Sequence, residues 1–154
     1  MGKHTQVVDC VMFKENRSRL VERLTQDSAV PKGSIIVLEG GKSKNLYDTD
    51  VELLFRQESY FHWAFGVREP GFYGAIDLQT GKTILFAPFY DRETFTTWSG
   101  KLYSNEEIRD IYQVDDVFYV DQVRSFSYFL CFHYSILMFY LFFRNNRSFK
   151  HFKI

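Results

Sequence analysis

The sequence predicts an α/β fold, a mixed β-sheet flanked by helices, and three observations carry the prediction. Residues 34–38 (SIIVL) form a short, β-branched apolar run stopped by Gly40-Gly41, the pattern of a strand buried on both faces. Residues 72–77 (FYGAID) and 82–86 (KTILF) flank a turn that ends in Gly81, which supplies the positive φ of a type I turn with a bulge. Segments of helical period lie before and after these runs, so strands and helices interleave.

Taken in order, residues 16–24 read as the first helix. Leu20, Val21 and Leu24 share one face, Arg17, Arg19, Glu22 and Arg23 occupy the other, and Asn16 is placed to cap the first turn. Pro31-Lys32-Gly33 ends that stretch before the first strand at 34–38, and the hairpin follows. Residues 105–112 (NEEIRDIY) are a helix capped by Asn105 or Ser104, with Glu106 and Glu107 near the positive end of its dipole. Residues 117–120 (VFYV) make a last short strand.

The chain divides near Arg124 into a domain at 6–123 and an unrelated tail at 124–154. From Ser125 to Phe143 there is no Asp, Glu, Lys or Arg, and then Arg144, Arg147, Lys150 and Lys153 follow. The tail is expected as an apolar helix or a disordered segment. As a helix, residues 125–143 would span about 28 Å, close to the roughly 30 Å of a bilayer core. The basic residues beyond would favour a cytoplasmic C-terminus. Ser125, Ser127, His133 and Ser135 dilute the segment, and Phe and Tyr without Ala or Gly are atypical of an evolved span. Two origins stay open: an accidental extension by intron read-through or frame shift, and a membrane anchor. On either, the tail adds exposed apolar surface, and a chain ending at Val123 is expected to behave better in solution.

With 154 residues the chain suits one domain with a real core. Lys+Arg and Asp+Glu are both 19, so no charge excess draws the chain to nucleic acid. Cys10 and Cys131 are too few and too far apart for a disulfide framework or a zinc site, and the start has no signal-peptide pattern. Two reduced cysteines in a cytoplasmic protein fit that usage.

The chain up to Val123 shows no complete catalytic constellation. His4, His62, His133 and His151 do not pair at ligand spacing. Asp48, Asp50 and Glu52 lack the glycine and the twelfth-position Glu of a calcium loop and read as solvated acids. Gly40-Gly41-Lys42-Ser43 follows a strand, but a phosphate loop needs glycine at position 37, where Val37 stands. Ser59 and His62 have no nucleophile elbow or third partner. His62-Trp63, within YFHWAF, is expected to serve the core, and Cys10 has no activating context.

Residues 53–88 (LLFRQESYFHWAFGVREPGFYGAIDLQTGKTILFAP) resemble the N-terminal domain of the Xaa-Pro dipeptidases, or prolidases, of the aminopeptidase P and creatinase "pita-bread" metallopeptidase family. NRSRLVERL at 16–24, GSIIVLEGG at 33–41, YDTD at 47–50, TWSGK at 97–101 and YQVDDVFYVDQV at 112–123 support it, and the resemblance ends near Val123. It implies a homodimeric, cytoplasmic enzyme that hydrolyses dipeptides with C-terminal proline or hydroxyproline. Two manganese ions would be held by two Asp, one His and two Glu in a second domain. No ligand of that set matches a residue here, so this chain is expected to bind no metal and to be inactive alone. It would shape the pocket and the dimer contact. Trp98 matches the segment that faces the neighbouring subunit's active site, which makes it the one substrate-binding residue, acting in trans; no catalytic residue is carried over. Two other readings differ in class: a binding module that pairs with full-length prolidase subunits, and a protein anchored in a membrane through residues 125–143.

Overall fold

The computed structural model describes residues 3–5, 8–91, 95–97, 100–122 and the backbone of 139–140. Helix α1 (Val11–Gln26) begins five residues before the position read from the sequence. Asn16 is therefore not its cap: it is buried mid-helix, and its side-chain amide donates to the Trp63 carbonyl at 3.0 Å. The helix instead starts where Asp9 accepts from the Val11 N–H at 3.0 Å. Arg17 is likewise not on the solvent face, being only 2% exposed. The inward stripe is Phe13, Asn16, Arg17, Leu20, Val21 and Leu24, spaced at three and four residues, and two polar members hide its first half from a hydrophobicity pattern.

Strand β1 (Ile35–Glu39) is followed by helix α2 (Ser59–Phe65), which lies in the YFHWAF run. Glu58 caps α2 by accepting from the Phe61 N–H at 2.7 Å, and Gly66, at φ 70°, ends it in the left-handed conformation. Phe61, Ala64 and Phe65 turn into the core, whereas Trp63 is 43% exposed. Trp63 thus departs from the core role expected of it, because helical spacing puts it on the face opposite Phe61 and Phe65.

Strands β2 (Tyr73–Asp77) and β3 (Thr83–Ala87) form the expected hairpin. Gly81 has φ 73°, its N–H reaches the Asp77 carbonyl, and the Asp77 carboxylate accepts from the Gln79 N–H and the Thr80 hydroxyl. Helix α3 (Asn105–Tyr112) is capped by Ser104, whose hydroxyl and Glu107 close a reciprocal capping box. Strand β4 (Asp116–Tyr119) runs into a short 3-10 turn, Val120–Gln122.

The sheet order is β4-β3-β2-β1, extended by a two-residue strand β5 (Phe139–Tyr140) beside β1. β1–β2 and β2–β3 are antiparallel, and β3–β4 and β1–β5 are parallel, so the sheet is mixed. The tail expected at 124–154 lies outside the described residues apart from β5, where two residues are extended rather than helical. No helix among the described residues is long and apolar enough to cross a membrane.

One face of the sheet carries α1, α2 and α3. Leu38, Ile76 and Leu85 from the strands meet Phe61 and Phe65 of α2, Ile108 and Tyr112 of α3, and Leu20 and Val21 of α1. The Phe65 ring lies on Gly74, where an added Cβ would overlap it. The other face of the sheet has a separate apolar cluster of Ile35, Ala75, Ile84 and Phe86.

Candidate functional site: the aromatic rim of the sheet

β1, β3 and β4 run in one direction and end on the same side of the molecule at Glu39, Ala87 and Tyr119. That is the side on which open α/β sheets offer crevices to ligands. The segments leaving it build a rim. Gly40 donates to the Phe72 carbonyl at 2.9 Å, and a Cβ on Gly40 would stand 2.8 Å from that oxygen. Gly41 is pinned by Gln57, whose side-chain oxygen accepts from the Gly41 N–H and whose amide donates to the Glu69 carbonyl at 2.9 Å. Close backbone approach, rather than phosphate binding, explains these two glycines. Lys42 is engaged with Glu39 at 2.8 Å and lies over the Tyr73 ring. Its hydrogen bond to Glu39 raises the Lys42 pKa, and the Lys42 bond outweighs partial burial to lower that of Glu39.

Beyond Gly41 the chain doubles back. Leu46 donates to the Val51 carbonyl at 2.8 Å and Leu53 to the Lys44 carbonyl at 2.9 Å, with Asn45 and Glu52 bridged between them. This loop leaves Tyr47 91% and Leu54 88% exposed. Asp48, Asp50 and Glu52 lie exposed on the same loop. Next to it, Tyr90 stacks on Phe95 with centroids 4.7 Å apart, and Phe89 meets Tyr119 edge-on at 5.4 Å. Burial, helped by the charge of Glu52, raises the Tyr90 phenol pKa.

Trp98 lies outside the described residues, but both flanks of its segment are fixed. Phe95 is held by Tyr90, and Lys101 binds Glu107 at 2.6 Å while its ammonium sits 4.8 Å over the Tyr103 ring. Among the described residues the rim therefore offers aromatic and apolar surface, tethered at its base by the Lys42–Glu39 and Lys101–Glu107 pairs. Such a surface is suited to holding a ligand or a partner.

The other candidate residues do not assemble into a site. His62 is half-buried, with Nδ1 3.4 Å from the Val67 carbonyl and its ring against Phe13. Ser59 opens α2, His4 is exposed and Cys10 is a free, half-buried thiol. His133, His151 and Cys131 lie outside the described residues. Among the described residues no three His, Cys, Asp or Glu side chains converge to hold a metal ion. The donor set among the described residues does not fit a manganese pair.

Sequence reasoning missed the main polar device of the fold, Arg17. Its guanidinium donates to the Ala64 carbonyl at 2.9 Å and the Gln113 carbonyl at 2.6 Å, and stacks over Phe65. These carbonyls end α2 and α3, where a cation is favoured by both helix dipoles. Burial lowers the Arg17 pKa to about 10, against the pull of Asp115 and Cys10, and the group stays charged at neutral pH. A depression of about 420 Å³ opens beside it, lined by Lys14, Arg109, Asp110 and Asp115 among others. Its cations are largely committed, Arg17 to carbonyls and Arg109 to Asp110 at 3.3 Å. Only an arginine at an i+4 position from Phe13 hinted at this role, and a surface arginine reads the same way.

Comparison with known proteins agrees with this architecture. The family described as "Aminopeptidase P, N-terminal domain" matches residues 13–131. Human Xaa-Pro dipeptidase is 51% identical over 125 residues, and the rat enzyme 48%. Each match covers 81% of this chain and 25% of the relative, so the chain spans about a quarter of the length of these relatives. Among solved structures, a low-pH form of Escherichia coli aminopeptidase P superposes with a TM-score of 0.67 at 20% identity, over 81% of this chain and 27% of that one. Aminopeptidase P of Pseudomonas aeruginosa gives 0.66 at 23% identity, over 80% of this chain and 26% of that one. The mixed sheet with its helices is thus the fold of these N-terminal domains, and the chain belongs to the aminopeptidase P N-terminal domain family.

Proposed function

We propose that this chain serves as the pocket-shaping and dimerising domain of a cytoplasmic Xaa-Pro dipeptidase. The parent enzyme would hydrolyse dipeptides with C-terminal proline or hydroxyproline. The observation that carries the reading is the 51% identity to human Xaa-Pro dipeptidase over 125 residues. A second domain, absent from these 154 residues, would hold two manganese ions. The role of this domain is apolar and positional. In a homodimer, the rim around Phe89, Tyr90 and Phe95 would face the neighbouring subunit, with Trp98 closing the proline side of its pocket in trans. An aromatic ring gives proline a rigid apolar wall at small entropic cost. The same surface would let the chain pair with full-length subunits.

Alone, the chain should not turn over substrate. Purified chain with added manganese is expected to hydrolyse Gly-Pro no faster than a blank. Turnover that copurifies with the chain and disappears with chelator would refute the proposed division of labour.

A further inference from the structure

Two places around the rim repeat one arrangement, a cation laid over an aromatic ring with its charge on a carboxylate. Lys42 lies 5.8 Å from the Tyr73 ring centroid and binds Glu39 at 2.8 Å. Lys101 lies 4.8 Å from the Tyr103 centroid and binds Glu107 at 2.6 Å. In each, the negative face of the ring and the carboxylate attract the same positive group.

A third ring and carboxylate stand on the rim without a cation. Glu52 is exposed on the loop beyond Gly41, near enough to Tyr90 for its charge to act on the phenol. Among the described residues no lysine or arginine pairs with Glu52 or lies over the Tyr90 ring. The surroundings narrow what could supply the missing charge. Residues 44–54 carry Lys44 against Asp48, Asp50 and Glu52, one positive charge against three negative, a net of −2. That sign repels nucleic-acid phosphates and anionic lipid headgroups. Tyr47 and Leu54 are almost fully exposed beside these acids, and Phe89 is 68% exposed. Apolar side chains interspersed with free carboxylates fit a protein surface that presents cations among apolar groups. Arginine fits best, because its flat guanidinium stacks on a ring while its edge binds a carboxylate.

We infer that Glu52 and Tyr90 receive an arginine or lysine side chain of the neighbouring full-length subunit, with Tyr47, Leu54 and Phe89 as the apolar surround. The inference rests on the dimerising role proposed above and names the chemistry that the neighbour presents at the rim. Pairing at this surface is then directed by charge as well as by apolar contact.

The test follows fluorescently labelled full-length chain, incubated with human Xaa-Pro dipeptidase, by sedimentation velocity. Pairing should weaken about tenfold between about 0.05 and about 0.5 M NaCl. Glu52→Gln should weaken it about tenfold at low salt and remove most of the salt dependence. Tyr90→Leu should weaken it too, whereas Tyr90→Phe, which keeps the ring face, should bind as the parent does. Circular dichroism melts show that each variant is folded. Glu22→Gln, which removes an exposed acid from α1, should pair as the parent does. Pairing that ignores both salt and Glu52→Gln would overturn the inference and leave the dimerising role standing. No pairing at all would remove that role and the inference with it. An equal loss in Glu22→Gln would reduce the effect to net charge, and salt-sensitive association of the chain with itself alone would assign the cation to a second copy; either result overturns the inference.

Discussion

At the residue scale the fold depends on polar groups that a hydrophobicity pattern overlooks. Arg17 joins the ends of α2 and α3, and Asn16 reaches the carbonyl of Trp63. Replacing Arg17 by Met keeps the bulk but leaves buried carbonyls without a donor, so denaturant unfolding should show a loss of about 3 kcal/mol. A loss under about 0.5 kcal/mol would mean that the carbonyls find other partners. Asp115 makes a pH prediction. Burial opposes its charge, but bonds from the Thr83 N–H and hydroxyl, both 2.7 Å, with Lys82 and Arg17 nearby, outweigh it and lower its pKa. A depressed carboxyl stabilises above its unfolded pKa of about 3.9 and loses that contribution as pH falls through the folded value. Urea midpoints should therefore fall below about pH 4, and less steeply in Asp115→Asn; identical slopes would remove Asp115 from the account. Neither residue's role was legible in the sequence, because nothing local distinguishes a buried arginine or a bonded aspartate from surface ones.

At the element scale the sequence was read more successfully where a local signal exists. The hairpin, announced by Gly81, and α3, announced by its cap and acidic first turn, fall within a residue of their expected bounds. β1 was legible as an unbroken β-branched run. α2 was not, since seven residues rich in aromatics offer two turns of period and read equally well as strand. α1 was placed late because Asn16 and Arg17 interrupt its apolar stripe. Two substitutions test what holds these elements. Ser104→Ala should cost about 1 kcal/mol of stability, and Asn105→Ala clearly less, because only Ser104 closes the capping box. Equal losses would contradict that assignment. Gly74→Ala drives a methyl into the Phe65 ring that seats α2 on the sheet, and thermal and chemical melts should show a loss of about 2–3 kcal/mol. An unchanged melt would mean that α2 can move off β2 freely.

At the scale of the whole molecule, the proposed function gives shape to this domain and would give the chemistry to a second one. The family was legible in long specific blocks of sequence, whereas the rim was not, since it joins residues near 46–54, 89–95 and 119 that only the sheet brings together. The role of Trp98 rests on resemblance and can be tested in an enzyme that carries this domain. Trp98→Ala there should raise KM and lower kcat/KM by about 1–3 kcal/mol in transition-state terms, with metal content and melting unchanged. The most direct test of the central claim exchanges the matching 125 residues of human Xaa-Pro dipeptidase for those of this chain and measures Gly-Pro hydrolysis by the manganese-loaded chimera. If this domain shapes a prolidase pocket, the chimera should be dimeric and retain kcat/KM within about tenfold of the parent. A folded, metal-loaded dimer that no longer hydrolyses Gly-Pro would contradict it.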